Sequence, residues 1–166
     1  MECPKDLIVL GAIINGAKQF DKLSKRTKIE PKELNSILEK LEEHALIEVQ
    51  EKKRFLGKKI EIHVTDKGKK ELDERVHELQ TKWDYMQKAY QTGDKQKLQQ
   101  IVQNEKPFLP TMMFFGIIDI MMFSMMFNMM GMTMSSYIPA EDMSQFDNGV
   151  ETDSIDDGGF DIDIGF

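Results

Sequence analysis

The stretch that decides the fold is residues 31–64, PKELNSILEKLEEHALIEVQEKKRFLGKKIEIHV. Its hydrophobic period changes midway. Leu34, Ile37, Leu38 and Leu41 recur at i, i+3, i+4 and i+7, which is one face of a helix. Pro31 suits the first helical position, where a missing N–H costs nothing. From Ile47 onward the period is two. Ile47 and Val49 alternate with Glu48 and Gln50, and Ile60, Ile62 and Val64 alternate with Glu61 and His63. That pattern predicts two half-buried strands. Between them, Glu51 to Lys59 holds a turn glycine and five basic residues.

Upstream, Pro4 opens a helix carrying Leu7, Ile8, Leu10, Ile13, Ile14 and Ala17, with Asn15-Gly16 as its break. A short second helix turns Phe20 and Leu23 inward and leaves Lys22, Lys25, Arg26 and Lys28 on its other sides. Three helices followed by a basic-tipped hairpin is the order of a winged helix-turn-helix. The run PKELNSILEKLEEHALI (31–47) resembles the recognition helix and first wing strand of MarR/PadR-type winged-helix regulators. VTDKGKKEL (64–72) is similar to the segment that leads those proteins into the helix after the wing. His44-Ala45 departs from the Lys/Arg-Gly more usual there. The resemblance spans residues 4–90 and implies a DNA-binding head with a two-fold dimer through the helix after the wing.

A winged helix lays its recognition helix in the major groove. Lys32, Glu33, Asn35 and Ser36 would then face base edges, and Asn35 has the chemistry to pair with adenine. Phosphate contacts would come from Lys22, Lys25, Arg26 and Lys28, and from Lys52, Lys53, Arg54, Lys58 and Lys59 on the hairpin. Glu30, Glu33, Glu39, Glu42 and Glu43 weigh against this, because an acidic helix is repelled by phosphate. Their excess sits at the end of the helix that points away from DNA.

Downstream, residues 66–106 read as helical. Leu72, Val76, Leu79, Trp83, Met86 and Tyr90 form an a/d seam over nearly three heptads, expected to pair two copies. Residues 111–134 hold ten of the 13 methionines and no Lys, Arg, Leu or Val. The pairs Met121-Met122, Met125-Met126 and Met129-Met130 would give a helix a broad thioether face. Four readings stand open: a packed or self-associating helix, a membrane anchor, a groove for hydrophobic client helices, and a copper(I) site. Packing leads, since such a stripe at helical spacing is usually core. Asp119 interrupts the run either as a buried acid or facing a polar gap. Residues 135–166 are polar and acidic and read as disordered. Their alternating end, FDIDIGF (160–166), suits docking to a protein partner, and their charge can compete with DNA for the hairpin.

Charge divides the chain sharply. All 22 basic residues lie at or before Lys106, against 19 acids there, while residues 107–166 carry ten acids and no base. The single cysteine, Cys3, excludes an internal disulfide and a cysteine zinc site. His44, His63 and His77 share no metal-ligand spacing, and no phosphate-loop, dinucleotide or nucleophile-elbow motif occurs. The opening residues lack a signal-peptide layout.

The expected fold is mainly α with a small β-hairpin. Residues 1–65 form the winged helix-turn-helix, 66–106 a helical dimerisation region, 107–134 one methionine-rich helix and 135–166 the tail. The expected function is a homodimeric, non-catalytic, cytoplasmic transcription regulator that binds specific double-stranded DNA and needs no cofactor. The alternative is a protein-binding adaptor whose methionine-rich helix anchors it in a membrane or holds hydrophobic clients.

Overall fold

The computed structural model describes residues 4–55 and 57–138. Along them run α1 (Pro4–Ile14), α2 (Phe20–Thr27), α3 (Pro31–Glu43), β1 (Ile47–Arg54), β2 (Gly57–Val64), α4 (Asp66–Gln91), α5 (Lys95–Asn104), α6 (Leu109–Phe114) and α7 (Ile120–Met130). The mainly helical architecture with one antiparallel hairpin is therefore the one the sequence predicts.

Helix α1 lies at the centre. Leu7, Val9, Leu10, Ala12 and Ile13 are at most 2% exposed. A helix apolar nearly all round belongs in an interior, and α1 lies against α2, α3, β2, α4 and α6. Around it, Leu23, Ile29, Leu34, Ile37 and Leu41 bury the inner faces of the helix-turn-helix. Lys28, left-handed at φ 54, ends α2, and Pro31 starts α3.

The turn from α3 into β1 is held from the far side of the hairpin. Ala45 adopts a left-handed conformation, φ 55, a backbone geometry that favours glycine. The Thr65 hydroxyl sits 2.7 Å from the Ala45 carbonyl oxygen and also accepts the Gly68 N–H at 3.0 Å, capping α4. The Thr65 N–H donates to the Leu46 carbonyl at 3.0 Å, and Lys67 Nζ donates to the His44 carbonyl at 2.8 Å. Gly68 lies so close that an added Cβ would stand 2.1 Å from the Leu46 carbonyl oxygen.

Two expectations about the second half are corrected. The heptad seam is real, but it faces the chain's own helices. Leu72, Val76, Leu79, Trp83 and Met86 are at most 6% exposed in the single chain, and Tyr90 is partly buried. Helices α1 and α5 cover α4, and Phe123 of α7 meets Trp83 edge-on at 6.0 Å. A hydrophobic stripe demands a cover, but its spacing does not say which surface supplies it.

The second correction concerns residues 107–134, which form two helices rather than one. Gly116 (φ 66) stops the chain after α6, and the Asp119 carboxylate caps α7 by accepting the Met122 N–H at 2.9 Å. Asp119 is thus an exposed cap and not a buried acid. Among the described residues no helix is long and apolar enough to cross a membrane. The methionine pairs divide by helix geometry. Met126 and Met130 are buried, Met122 and Met129 partly buried, and Met121 and Met125 are 70% and 49% exposed.

The packed body also extends past the expected start of the tail. Tyr137 meets Phe127 at 5.2 Å, and Ile138 is fully buried. Cys3 and the acidic tail from residue 139 lie outside the described residues.

The clamp beneath the hairpin gives a paired test. Gly68→Ala is expected to destabilise the protein by about 3 kcal/mol, because its methyl meets rigid backbone. Ala45→Gly is expected to stabilise it by about 1 kcal/mol by relieving a left-handed alanine. Denaturant unfolding of both variants measures the difference.

Candidate nucleic-acid interface

Helix α3 turns Leu34, Ile37 and Leu41 inward, which leaves Lys32, Glu33, Asn35 and Ser36 exposed on its first turns. Two of these residues already have partners. Glu33 receives Lys5 Nζ of α1 at 2.7 and 2.8 Å, so one negative charge on the exposed face of α3 is balanced locally. Asn35 Nδ2 donates to Glu39 Oε1 at 2.7 Å. A base presented to Asn35 must therefore displace a surface hydrogen bond one helical turn away.

On α2, Lys22 and Lys25 are exposed. Arg26 is exposed too, but a guanidinium N–H donates to the Asn15 carbonyl at 3.0 Å and ties α2 to the end of α1. Lys28 serves the backbone as well as any ligand, since its N–H donates to the Ser24 carbonyl and closes the helix. The helix-turn-helix cluster is thus part scaffold and part open cation.

The hairpin is an arm. Its strands pair from Ile47↔Val64 at the base to Arg54↔Gly57 at the tip, and every described residue of β1 beyond Ile47 is exposed. Seven residue steps at roughly 3.3 Å carry it about 23 Å outward. The Ile62 N–H donates to the Lys18 carbonyl at 2.8 Å, which fixes the arm's base beside the loop leading into α2.

The register sets like charges directly opposite one another, Lys52 facing Lys59 and Lys53 facing Lys58. Such pairs are destabilising when uncompensated. Glu61 supplies the compensation. Its carboxylate takes Lys52 Nζ at 2.7 Å and Lys59 Nζ at 2.9 Å, with His63 Nε2 at 3.6 Å. The hydrogen bonds from Lys52 and then Lys59 hold the Glu61 carboxyl down at about 2 instead of 4.5. Glu51 takes Lys58 at 3.3 Å. Among the described residues, Lys53 and Arg54 have no carboxylate within ion-pair distance, and Phe55 beside them is fully exposed.

The five hairpin cations are therefore brought together, and a smaller group on α2 and α3 stands on the same body. Sequence reasoning missed Lys5 and Glu61. Glu61 was findable, because period-two alternation puts it on the strand face of Lys59, two residues away. Lys5 was not, since only packing brings α1 to the start of α3.

The family model described as HxlR-like helix-turn-helix matches residues 5–91, just over half of the 166 residues. No curated protein and no solved structure matches the chain. The matched span runs from α1 to the end of α4, so α5, α6 and α7 lie beyond it. The likeness to MarR/PadR regulators thus holds at the level of the winged helix-turn-helix, and HxlR-like is the family that matches.

Glu61 makes the arm acid-sensitive. A carboxyl held low in the folded protein contributes stability above its ordinary value and loses it as pH falls through the folded one. Protection of the β1–β2 amides against hydrogen exchange is therefore expected to hold above about pH 4.5 and to fall as pH approaches about 2. Glu61→Gln is expected to abolish that step and to lower protection at neutral pH.

Proposed function

The chain belongs to the HxlR-like helix-turn-helix family, a winged helix-turn-helix family of DNA-binding transcription regulators, and from that premise we propose how it reads DNA. In this reading α3 enters the major groove of a specific duplex, with Lys32, Asn35 and Ser36 at base edges. The hairpin arm lies along the backbone. Lys53 and Arg54 make the first phosphate contacts because no carboxylate among the described residues holds them. Lys22, Lys25, Lys58 and the Glu61-bound pair Lys52 and Lys59 add positioning contacts, while Arg26 and Lys28 mainly hold the helix-turn-helix in shape.

The observation that carries the reading is the arm itself. A hairpin that sets lysine opposite lysine, with two tip cations unpaired among the described residues, is arranged for a polyanion. The acidic residues of α3 are a lesser obstacle than its composition suggests. Lys5 balances the charge of Glu33, and Glu39, Glu42 and Glu43 stand toward the C-terminal end of the helix.

The proposal includes a cytoplasmic, non-catalytic homodimer, with its contact outside the buried seam of α4. The membrane-anchor alternative is not retained, because the methionine-rich segment is divided into helices of six and 11 residues. The client-groove alternative is not retained either, because four of the ten methionines are buried and four more pack partly buried against the core, which leaves only Met121 and Met125 exposed.

Duplex binding by the full chain, measured by anisotropy over a range of salt, tests this. Lys52→Gln, Lys53→Gln and Arg54→Gln together are expected to weaken binding to all sequences and to reduce the salt slope by about 2 to 3. Asn35→Ala is expected to relax discrimination at one position by about 1 to 3 kcal/mol and leave the slope alone. Two chains per site at saturation would support the dimer. Absence of duplex binding in dilute salt would overturn the regulator reading.

A further inference from the structure

We infer that the chain's own acidic tail, residues 139–166, docks on the hairpin arm and covers the surface proposed to meet DNA. The argument starts from a mismatch between the arm and DNA backbone. Phosphate accounts for cations, but the arm is also apolar. Val49, Ile60 and Phe55 are 45%, 56% and 106% exposed. By the register, Val49 pairs with Ile62 and Ile60 with Glu51, so Val49 and Ile60 share one strand face with Lys53 and Lys58. The other face carries Lys52, Lys59 and Arg54. Residues 51–59 hold five basic side chains against Glu51, a net charge of +4.

The tail has the complementary chemistry. Residues 139–166 contain nine acids and no base. A segment that only solvates needs no large apolar side chains, yet this one ends FDIDIGF. Phe160, Ile162, Ile164 and Phe166 alternate with Asp161 and Asp163. In extended chain, alternate residues point to opposite sides. One side of this motif therefore offers apolar groups for Val49, Ile60 and Phe55, and the other offers carboxylates for Lys52, Lys59 and Arg54. Asp156 and Asp157 precede the motif and add charge for Lys53 and Lys58.

Reach is no obstacle. The 21 residues from Pro139 to Gly159 can span up to about 70 Å. A body of this size has a radius of gyration near 14 Å, so the tether can reach any point of its surface. Tethering also raises the local concentration of the motif to roughly millimolar. A contact too weak to last between separate molecules is then populated within one chain. Where the arm's role on DNA is as proposed above, the docked tail excludes duplex.

The test uses the full chain and two tail variants. One carries Asp156→Asn, Asp157→Asn, Asp161→Asn and Asp163→Asn. The other carries Phe160→Ser, Ile162→Ser and Ile164→Ser. Amide spectra of both are expected to show shifts at residues 49–60 and none in α1 or α7. Duplex affinity is expected to rise about fivefold or more in both, the release that follows when the docked state holds roughly four-fifths of the molecules. The serine variant separates docking from mere charge repulsion, because its charge is unchanged. Arm resonances that stay fixed in both variants overturn the inference, even if the asparagine variant binds duplex more tightly. Arm resonances that move while no form binds duplex uphold the docking and sink the DNA reading instead.

Discussion

Much of this structure depends on how closely the first turn of α4 can approach the end of α3. The Leu46 carbonyl points into the space where Gly68 lacks a side chain, and the Thr65 hydroxyl bridges that carbonyl's neighbour and the helix it caps. One small contact thus joins α3, both ends of the hairpin and the long helix behind them. It accounts for the left-handed Ala45 as well. The α3–β1 turn must be tight for β1 to leave beside β2, and the hydrogen bonds from Thr65 and Lys67 make up for an unfavourable backbone conformation. The direction of the arm relative to α3 is set here, some 20 Å from its tip by strand geometry.

A second constraint comes from behind. Thr111, fully buried, donates to the Pro4 carbonyl at 3.2 Å, and the Phe115 ring lies where any side chain on residue 11 of α1 would have to go. The methionine-rich segment is therefore built into the head through its central helix. Lys82 and Glu105 close the far side at 2.6 Å, with the Lys82 ammonium 4.5 Å from the Phe108 ring centre. Together with α1, residues 95–138 supply from within the chain the apolar cover that the α4 seam requires. Methionine suits that task. Unbranched thioethers fill the irregular gap between a long helix and two short ones more readily than branched side chains do.

The head was legible because each of its elements announces itself locally. Pro31 and the 34, 37, 38, 41 series mark α3, and the switch to period two marks the hairpin. The second half was legible only in part. The seam could be counted along α4, but its partner is a tertiary fact. The break in the methionine run had local signals, Gly116 and Asp119, which a uniformly apolar composition concealed. An aspartate three residues ahead of a backbone N–H reads as a cap once the helix is known to begin there, and as an anomaly when the helix is taken to be continuous. The site divides in the same way. Which cations exist is sequence, whereas which of them are already held by a carboxylate depends on register and packing.

That last distinction decides how the arm can act. Strand pairing brings Lys52 and Lys59 within reach of one carboxylate, and Glu61 remains ionised because both stabilise its charge. The two lysines are thereby positioned and partly neutralised, so a phosphate approaching them must compete with Glu61. At the tip, Lys53 and Arg54 face no such competitor among the described residues, and their charge is available to whatever arrives first. The arm is therefore graded, from a self-compensated base to an open tip. Exposed charge attracts over about a Debye length, 8 Å in physiological salt, while paired charge attracts over much less. A polyanion is drawn to the tip before it meets the base, and only an anion dense enough to replace Glu61 engages the full length of the arm.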